Sequence, residues 1–554
     1  MRETIQIELD VRGMTCPGCA QHVSRALAAV PGVQNVDVPG WQSSRATVEA
    51  APDVADAALV EAVAAAGYRA RIVARRSPAA GDGGVSQRET DFDLLVIGGG
   101  SGGFAAAIKG AELGARVGLI NDGTLGGTCV NVGCVPSKAL IRVAEAWYRA
   151  GRHPFAGVET RQEALDWDAV RGQKDALVSD LRREKYADVL AAYPEIAFIP
   201  GRAVFQADGT VRVGERVLRA GKYVVAVGAR PRLLPIPGAA EAGVLTSTTL
   251  MDLPRLPQSL LVLGGRAVAL ELGQMMARFG VRVALLQRSS RLLPDHDPDI
   301  GRALKGYLEE EGIGVVVGVQ VERIERQGDE RVVHTRVHGR PQVYRAEQVL
   351  MALGRRPNTE GLGLAQLGVE LDKSGAIVVD KQMRTAHPDI YATGDCTINP
   401  NFVYVAAAGG AIAAENALTG AGRALDLSAM PAVVFTDPQV ATVGLTEAQA
   451  KAQGYDVRSS KLPLRFVPRA LAARDTRGFI KLVADGTTGR LLGAHILAAE
   501  GGEVVQSAVL AVKFGLTIED LTGTLFPYLT QVEGLKLAAL TFDKDVGKLS
   551  CCAG

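Results

Sequence analysis

An α/β fold follows from two glycine-rich turns, each set between an apolar strand and a helix, and from a βαββαβ order confined to the first 73 residues. The turns are Gly98-Gly99-Gly100-Ser101-Gly102-Gly103 and Gly264-Gly265-Arg266-Ala267-Val268-Ala269, and they predict two Rossmann-like units. The βαββαβ order predicts a separate ferredoxin-like module ahead of them. The 554 residues suffice for several cores, and 61 Lys and Arg against 60 Asp and Glu leave no net field for nucleic acid or an anionic membrane. The N-terminus lacks a signal-peptide apolar core, and no apolar run approaches the roughly 20 residues of a membrane span. A cytoplasmic location is expected. The cysteines fall as Cys16/Cys19, Cys129/Cys134, a lone Cys396 and Cys551/Cys552. Close pairs without a leader point to redox or soft-metal chemistry rather than a secreted disulfide framework.

In chain order, residues 3–11 alternate apolar and polar, a strand signal, and lead into Gly13-Met14-Thr15-Cys16-Pro17-Gly18-Cys19. A helical pattern runs to Val30, two short strands follow (Val33–Val38 and Arg45–Val48), a second helix spans Asp53 to Gly67, and a last strand covers Tyr68–Val73. Cys16 and Cys19, on the first loop and the start of its helix, can converge on one ion, and thiolates select soft cations. Met14 is expected in the core and His22 on the helix surface. This stretch resembles the heavy-metal-associated domain of copper chaperones and metal-transporting ATPases. Residues 74–90, polar and rich in Gly, Pro and Ser, read as a flexible tether.

Phe92–Ile97 is a buried strand, followed by the first glycine turn, a helix, and a second strand, Arg116–Ile120. Gly98, Gly100 and Gly103 are the fingerprint glycines for a bound dinucleotide. The acid expected on the ribose is missing, which leaves Asn121 or Asp122 to take the hydroxyls. Downstream, Thr393-Gly394-Asp395 after the strand Ile390-Tyr391-Ala392 supplies a second dinucleotide element. The second unit starts at Leu260–Leu263. Gly264 keeps the first glycine, while Arg266 and Ala269 replace the other two, so a cation stands where backbone ordinarily approaches phosphate. Its next strand, Arg282–Leu286, ends in Gln287-Arg288, with Arg291 nearby and no carboxylate. Arginine in place of the ribose-binding acid suits a 2′-phosphate, hence NADPH over NADH.

Between these units lies Gly126-Gly127-Thr128-Cys129-Val130-Asn131-Val132-Gly133-Cys134-Val135-Pro136-Ser137-Lys138. A loop is expected around both cysteines, with a helix opening at Pro136. Cys134 then stands at a helix N-terminus, where unpaired N–H groups favour thiolate over thiol.

Two Rossmann-like units with Cys-x4-Cys just after the first resemble the FAD-dependent disulfide oxidoreductases. The resemblance runs from about Asp91 to Phe542 and includes Ala352-Leu353-Gly354-Arg355-Arg356-Pro357-Asn358 and Pro431–Pro438. It implies FAD, with Gly103, Thr128 and Asp395 at FAD-contacting positions, Lys138 and Glu271 near the flavin ring, Cys134 facing it, and Cys129 as the exchanging thiol. It also implies a homodimer formed by an α+β interface domain. The expected organisation is 1–73 metal-binding, 74–90 linker, 91–230 and 351–427 FAD-binding, 231–350 NADPH-binding, and 428–554 dimerisation with a Cys-Cys tail.

One departure is informative. Disulfide reductases of this family carry a His-Pro near the C-terminus, the histidine serving as base. Here Phe526-Pro527 stands there, Glu533 remains, and no histidine follows His495. Phenylalanine cannot move a proton. Cys551-Cys552, two residues from the end, are good soft ligands instead. A metal-capture module, a flavin–dithiol core without the base, and a Cys-Cys tail together resemble the mercuric ion reductase group of the family. That resemblance implies reduction of Hg(II), delivered as thiol complexes, to volatile Hg(0). Cys551 and Cys552 would act at the other subunit's Cys129/Cys134, with Tyr528 assisting by hydrogen bond or weak coordination, or else only packing. Two other readings stand beside it: a disulfide reductase with an accessory metal domain, and a metal buffer with an idle flavoprotein core.

Overall fold

The computed structural model describes residues 4–14, 17–38, 45–76 and 90–548. Cys16, Cys551 and Cys552 lie outside the described residues, as does most of the expected tether. The chain divides into two compact units, at residues 1–88 and 89–554.

The first unit is the expected βαββαβ module. Its antiparallel sheet runs in the order Val33–Asp37, Arg45–Ala50, Ile5–Arg12, Arg69–Arg76. Alternation along the central strand turns Ile5, Ile7, Leu9 and Val11 inward. Val23 and Leu27 of helix Pro17–Ala28 and Leu59 and Val63 of helix Asp56–Ala65 cover that face. Each such fully buried side chain stabilises by roughly 2 kcal/mol. Met14 is buried in this core and His22 is exposed, as expected. Element ends shift by one to three residues: the second helix begins at Asp56 because Pro52 and Asp53 form a turn, and the last strand continues to Arg76 because it pairs with Gln6–Arg12 around a bulge.

The second unit holds three sheets that position the site. The first is parallel, in the order Ile390–Ala392, Ala220–Val225, Phe92–Ile97, Val117–Asn121, Ile196–Pro200. Phe92–Ile97 buries its last four residues, the near-continuous apolar run expected of a strand covered on both faces. Helix Ser101–Glu112 packs closely on helix Val403–Thr419: a Cβ on Gly410 would lie 2.1 Å from the Gly102 carbonyl oxygen. The second parallel sheet orders Gly314–Val317, Arg282–Gln287, Ser259–Leu263, Gln348–Met351. The third is antiparallel: Ala432–Val434, Gln439–Gly444, Leu491–Ala498, Phe479–Asp485, Val457–Pro463. Helices Gly501–Lys513 and Glu533–Leu540 share its core. No helix among the described residues is long and apolar enough to cross a membrane.

Candidate active site

Two helices carry the cysteine pair. Cys129 lies in a short helix, Gly127–Val132, rather than in the expected loop, and Cys134 is the first residue of helix Cys134–Gly151. The break between them is Gly133, at φ −124° and ψ −109°. Asn131 fixes the short helix by donating from Nδ2 to the carbonyls of Leu125 and Gly127, at 2.9 and 2.8 Å, while its Oδ1 accepts from Arg182 Nε at 2.7 Å. Both cysteines are thiols, not a disulfide. A hydrogen bond from Cys129, together with the nearby Lys138 ammonium, holds Cys134 down at about 7 against the usual 9.0. Cys129, the donor of that bond and partly buried, is pushed far up. Of the two, Cys129 keeps its proton and Cys134 is the one that ionises near neutral pH.

Lys138, one turn beyond Cys134, pairs with Glu271 Oε2 at 2.6 Å and lies 4.8 Å over the Phe435 ring. Glu271 is buried in helix Ala267–Arg278, and its Oε1 accepts the Phe435 amide at 2.9 Å. The resemblance implied only that both lie near the flavin ring; their direct contact with each other is a finding of the structure.

Tyr186 carries no sequence signal and was missed. It sits in a π-helical turn, Arg183–Ala187, that interrupts the helix following Trp167, with its hydroxyl 3.2 Å from Ser101 Oγ and its ring edge-on to Phe104. Burial raises its pKa, and charge on Cys129 and Cys134 raises it further, so it faces the pair as a neutral phenol. The only cue in the sequence was an aromatic in a charged helix, which is common. π-helical turns often mark functional sites.

Among the expected cofactor residues, the glycine turns fit a dinucleotide. Helix Ser101–Glu112 starts at Gly100 with no side-chain cap, leaving its first N–H groups for an anion. A Cβ on Gly103 would lie 1.7 Å from the Gly98 carbonyl oxygen, so the fold itself requires that glycine. On Gly100 a Cβ would meet nothing closer than 3.5 Å. The protein alone does not need glycine there, whereas a pyrophosphate seated on the helix end does. Thr128 Oγ1 accepts from Arg355 at 3.2 Å, and Arg355 Nε lies 3.2 Å from Asp395, whose pKa burial raises against the arginine's pull. This polar group suits a ribityl chain. Asn121 takes another role than the ribose contact considered for it: Oδ1 accepts Gly99 N–H and Nδ2 donates to the Gly123 carbonyl, both at 2.9 Å, which braces the glycine turn. Asp122 is exposed.

In the second Rossmann-like unit, Gly264 has φ +134° and a Cβ there would lie 2.6 Å from the Ala352 carbonyl oxygen; Ala269 is fully buried. Helix Ala267–Arg278 also starts without a side-chain cap, at Arg266. Arg288 is exposed at the strand end, available to a 2′-phosphate. Arg291 is not available in the same way. Its guanidinium folds back on the Pro294 and His296 carbonyls, because the loop after the strand leaves those acceptors facing it.

Near the C-terminus, Phe526 packs half-buried against the core of the third sheet. Glu533 is buried and accepts the Leu529 amide at 3.1 Å, holding Leu529 at φ +63°. Tyr528 is half-exposed on the same loop. Cys19 is buried at the start of the N-terminal module's first helix.

Comparisons with known proteins agree with this geometry. Residues 92–410 match the pyridine nucleotide-disulphide oxidoreductase family, residues 430–539 its dimerisation domain, and residues 8–69 the heavy-metal-associated domain. A mercuric reductase of Lysinibacillus sphaericus is 45% identical across 99% of this chain and 100% of its own. One from Shigella flexneri is 45% identical across 99% of this chain and 100% of its own. Among solved structures, the Cu(II) complex of the HOCl-induced flavoprotein disulfide reductase RclA from Escherichia coli aligns with a TM-score of 0.73 and 31% identity, over 82% of this chain and 100% of that one. The chain belongs to the pyridine nucleotide-disulphide oxidoreductase family, with that family's dimerisation domain after the core and a heavy-metal-associated domain ahead of it.

Proposed function

We propose that this protein is a mercury(II) reductase that uses FAD and NADPH. The observation that carries the reading is the Cys129/Cys134 thiol–thiolate pair, read with Phe526 at the position where the disulfide reductases hold a base. When bound, FAD and NADPH supply the two electrons that convert Hg(II) to Hg(0). Gly98, Gly100 and Gly103 with Thr128 and Asp395 would hold the flavin nucleotide, and Gly264, Arg266, Ala269 and Arg288 the NADPH.

Hg(II) is a soft cation, and two thiolates neutralise it as they bind. Cys16 and Cys19 would capture it first. Cys551 and Cys552 of the neighbouring subunit would pass it on, each new thiolate displacing one already bound. Cys134 binds the metal as thiolate from the flavin side, and Cys129, the exchanging thiol that the resemblance implies, gives up its proton to solvent as the dication arrives and lowers its pKa. No general base is needed, which agrees with Phe526. Tyr186 and Tyr528 would flank the metal with phenol oxygens. Lys138 keeps a positive charge beside Cys134, and Glu271 orients it. A cytoplasmic location agrees with dependence on NADPH and on reduced thiols.

The test is NADPH oxidation by the FAD-loaded enzyme with HgCl2 in excess thiol, and separately with lipoamide-type and glutathione disulfides. Mercury-dependent turnover with release of volatile mercury, lost in Cys134→Ala, is expected. Brisk disulfide turnover without a mercury response would refute the reading.

A further inference from the structure

The second glycine turn carries an arginine where the fingerprint has its middle glycine, and the structure shows what that arginine does. Arg266 is the residue before helix Ala267–Arg278, at φ −107° and ψ −177°, an extended conformation open to any side chain. Its backbone is therefore unstrained, and its guanidinium is ion-paired with Asp295. Both side chains are about three-fifths exposed, at 61% and 63%. The pair thus stands at the mouth of the turn rather than within the core.

Asp295 is held there by its loop. Leu292 and Leu293 are buried, and the Leu293 amide donates to the Gly265 carbonyl at 2.9 Å, pinning the loop onto the glycine turn itself. Arg291 holds the Pro294 and His296 carbonyls, and the His296 amide donates to Leu293 at 3.0 Å. Beyond it, Asp297 is buried, caps helix Pro298–Glu310, and pairs with Lys481 at 2.9 Å. The carboxylate of Asp295 is consequently presented to Arg266 by a braced loop, beside a helix N-terminus that attracts anions and has no cap of its own.

We propose that Asp295 is a built-in competitor for the cofactor's pyrophosphate: it holds Arg266 until NADPH enters, and Arg266 then changes partner from carboxylate to phosphate. This rests on the NADPH reading above and adds a determinant of cofactor affinity to it. Arg288, at the neighbouring strand end, serves the 2′-phosphate separately, so the two contributions are distinguishable by ligand.

The experiment is calorimetric titration of the oxidised, FAD-loaded full-length protein with NADP+ and with adenosine 2′-monophosphate, which lacks the pyrophosphate. Asp295→Asn is expected to tighten NADP+ by about threefold to fivefold, the scale of an exposed ion pair. It should leave adenosine 2′-monophosphate unchanged, and the gain should vanish when Arg266→Ala is also present. Asp295→Ser must behave as Asp295→Asn does. Unchanged or weaker NADP+ binding in Asp295→Asn would overturn the proposal. So would an equal gain for adenosine 2′-monophosphate, or a gain that survives in the double variant. If the unsubstituted protein binds no NADP+, the NADPH reading falls as well; if it binds NADP+ without this coupling, only the competitor role falls.

Discussion

Cysteine reactivity offers a direct measurement of the site's electrostatics. An ordinary thiol near 9.0 is about one per cent thiolate at pH 7, whereas Cys134, at about 7, is roughly half thiolate. The largest stabilising contribution is the hydrogen bond from Cys129, with the Lys138 charge a smaller one. Cys129→Ala should therefore move the midpoint of Cys134 alkylation toward the ordinary thiol range. The available window is about fiftyfold in thiolate fraction at pH 7, and most of it should be lost in that variant. Lys138→Met should move the midpoint in the same direction by less. The assay is iodoacetamide labelling of the pre-reduced, FAD-loaded enzyme from pH 5 to 10, followed on the Cys134 peptide by mass spectrometry. The full profile is needed because intrinsic nucleophilicity falls with pKa and partly masks a rate at one pH. An unmoved midpoint in Cys129→Ala, or a larger shift from Lys138→Met, would refute the assignment of Cys129 as the proton-bearing donor.

Other outcomes follow from the same geometry. Glu271→Gln removes a negative charge that raises Cys134, so the alkylation midpoint should fall below that of the unsubstituted enzyme, while the buried carboxylate's loss costs about 1–3 kcal/mol in denaturant unfolding. Gly103→Ala places a methyl against the Gly98 carbonyl oxygen and should cost about 3 kcal/mol or more, whereas Gly100→Ala should fold normally yet retain less FAD; absorbance ratios and thermal melts separate the two. Burial between the second and third sheets, with His495 and Arg266 nearby, holds His296 down at about 4, and burial also lowers His495. Their unfolded forms take up protons first as pH falls through 6.5, so this stability is complete above that value and is lost toward pH 4. Thermal melts should show the loss, up to about 3 kcal/mol for His296, and His296→Gln should flatten that part of the profile.

What the sequence disclosed and what it withheld divide along physical lines. Strand–glycine–helix turns are local, so Phe92–Ile97, Ser259–Leu263 and their helices were legible, as was the inward face of Ile5–Arg12. The position of Cys134 at a helix start was legible too, because Pro136 and the apolar spacing announce it. Cys129 was harder: its helix is short, and Asn131 side-chain bonds stabilise it rather than periodicity. Residue type alone does not show which partner a polar group already has. Asn121 and Arg291 were both candidates for cofactor, and both are engaged with their own backbone. Tyr186 reaches Ser101 across 85 positions, and no spacing rule anticipates a contact of that range.

The Lys138–Glu271–Phe435 contact has a consequence for how motion could be observed. Lys138 belongs to the helix after the first sheet, Glu271 to the second sheet's helix, and Phe435 to the segment after the third sheet's edge strand. The Phe435 amide hydrogen is held by a carboxylate that is itself held by the ammonium. It can meet solvent deuterium only when that three-way joint opens. Its deuterium uptake rate is thus a single-atom clock for the breathing of the redox centre, readable without substrate, label or turnover.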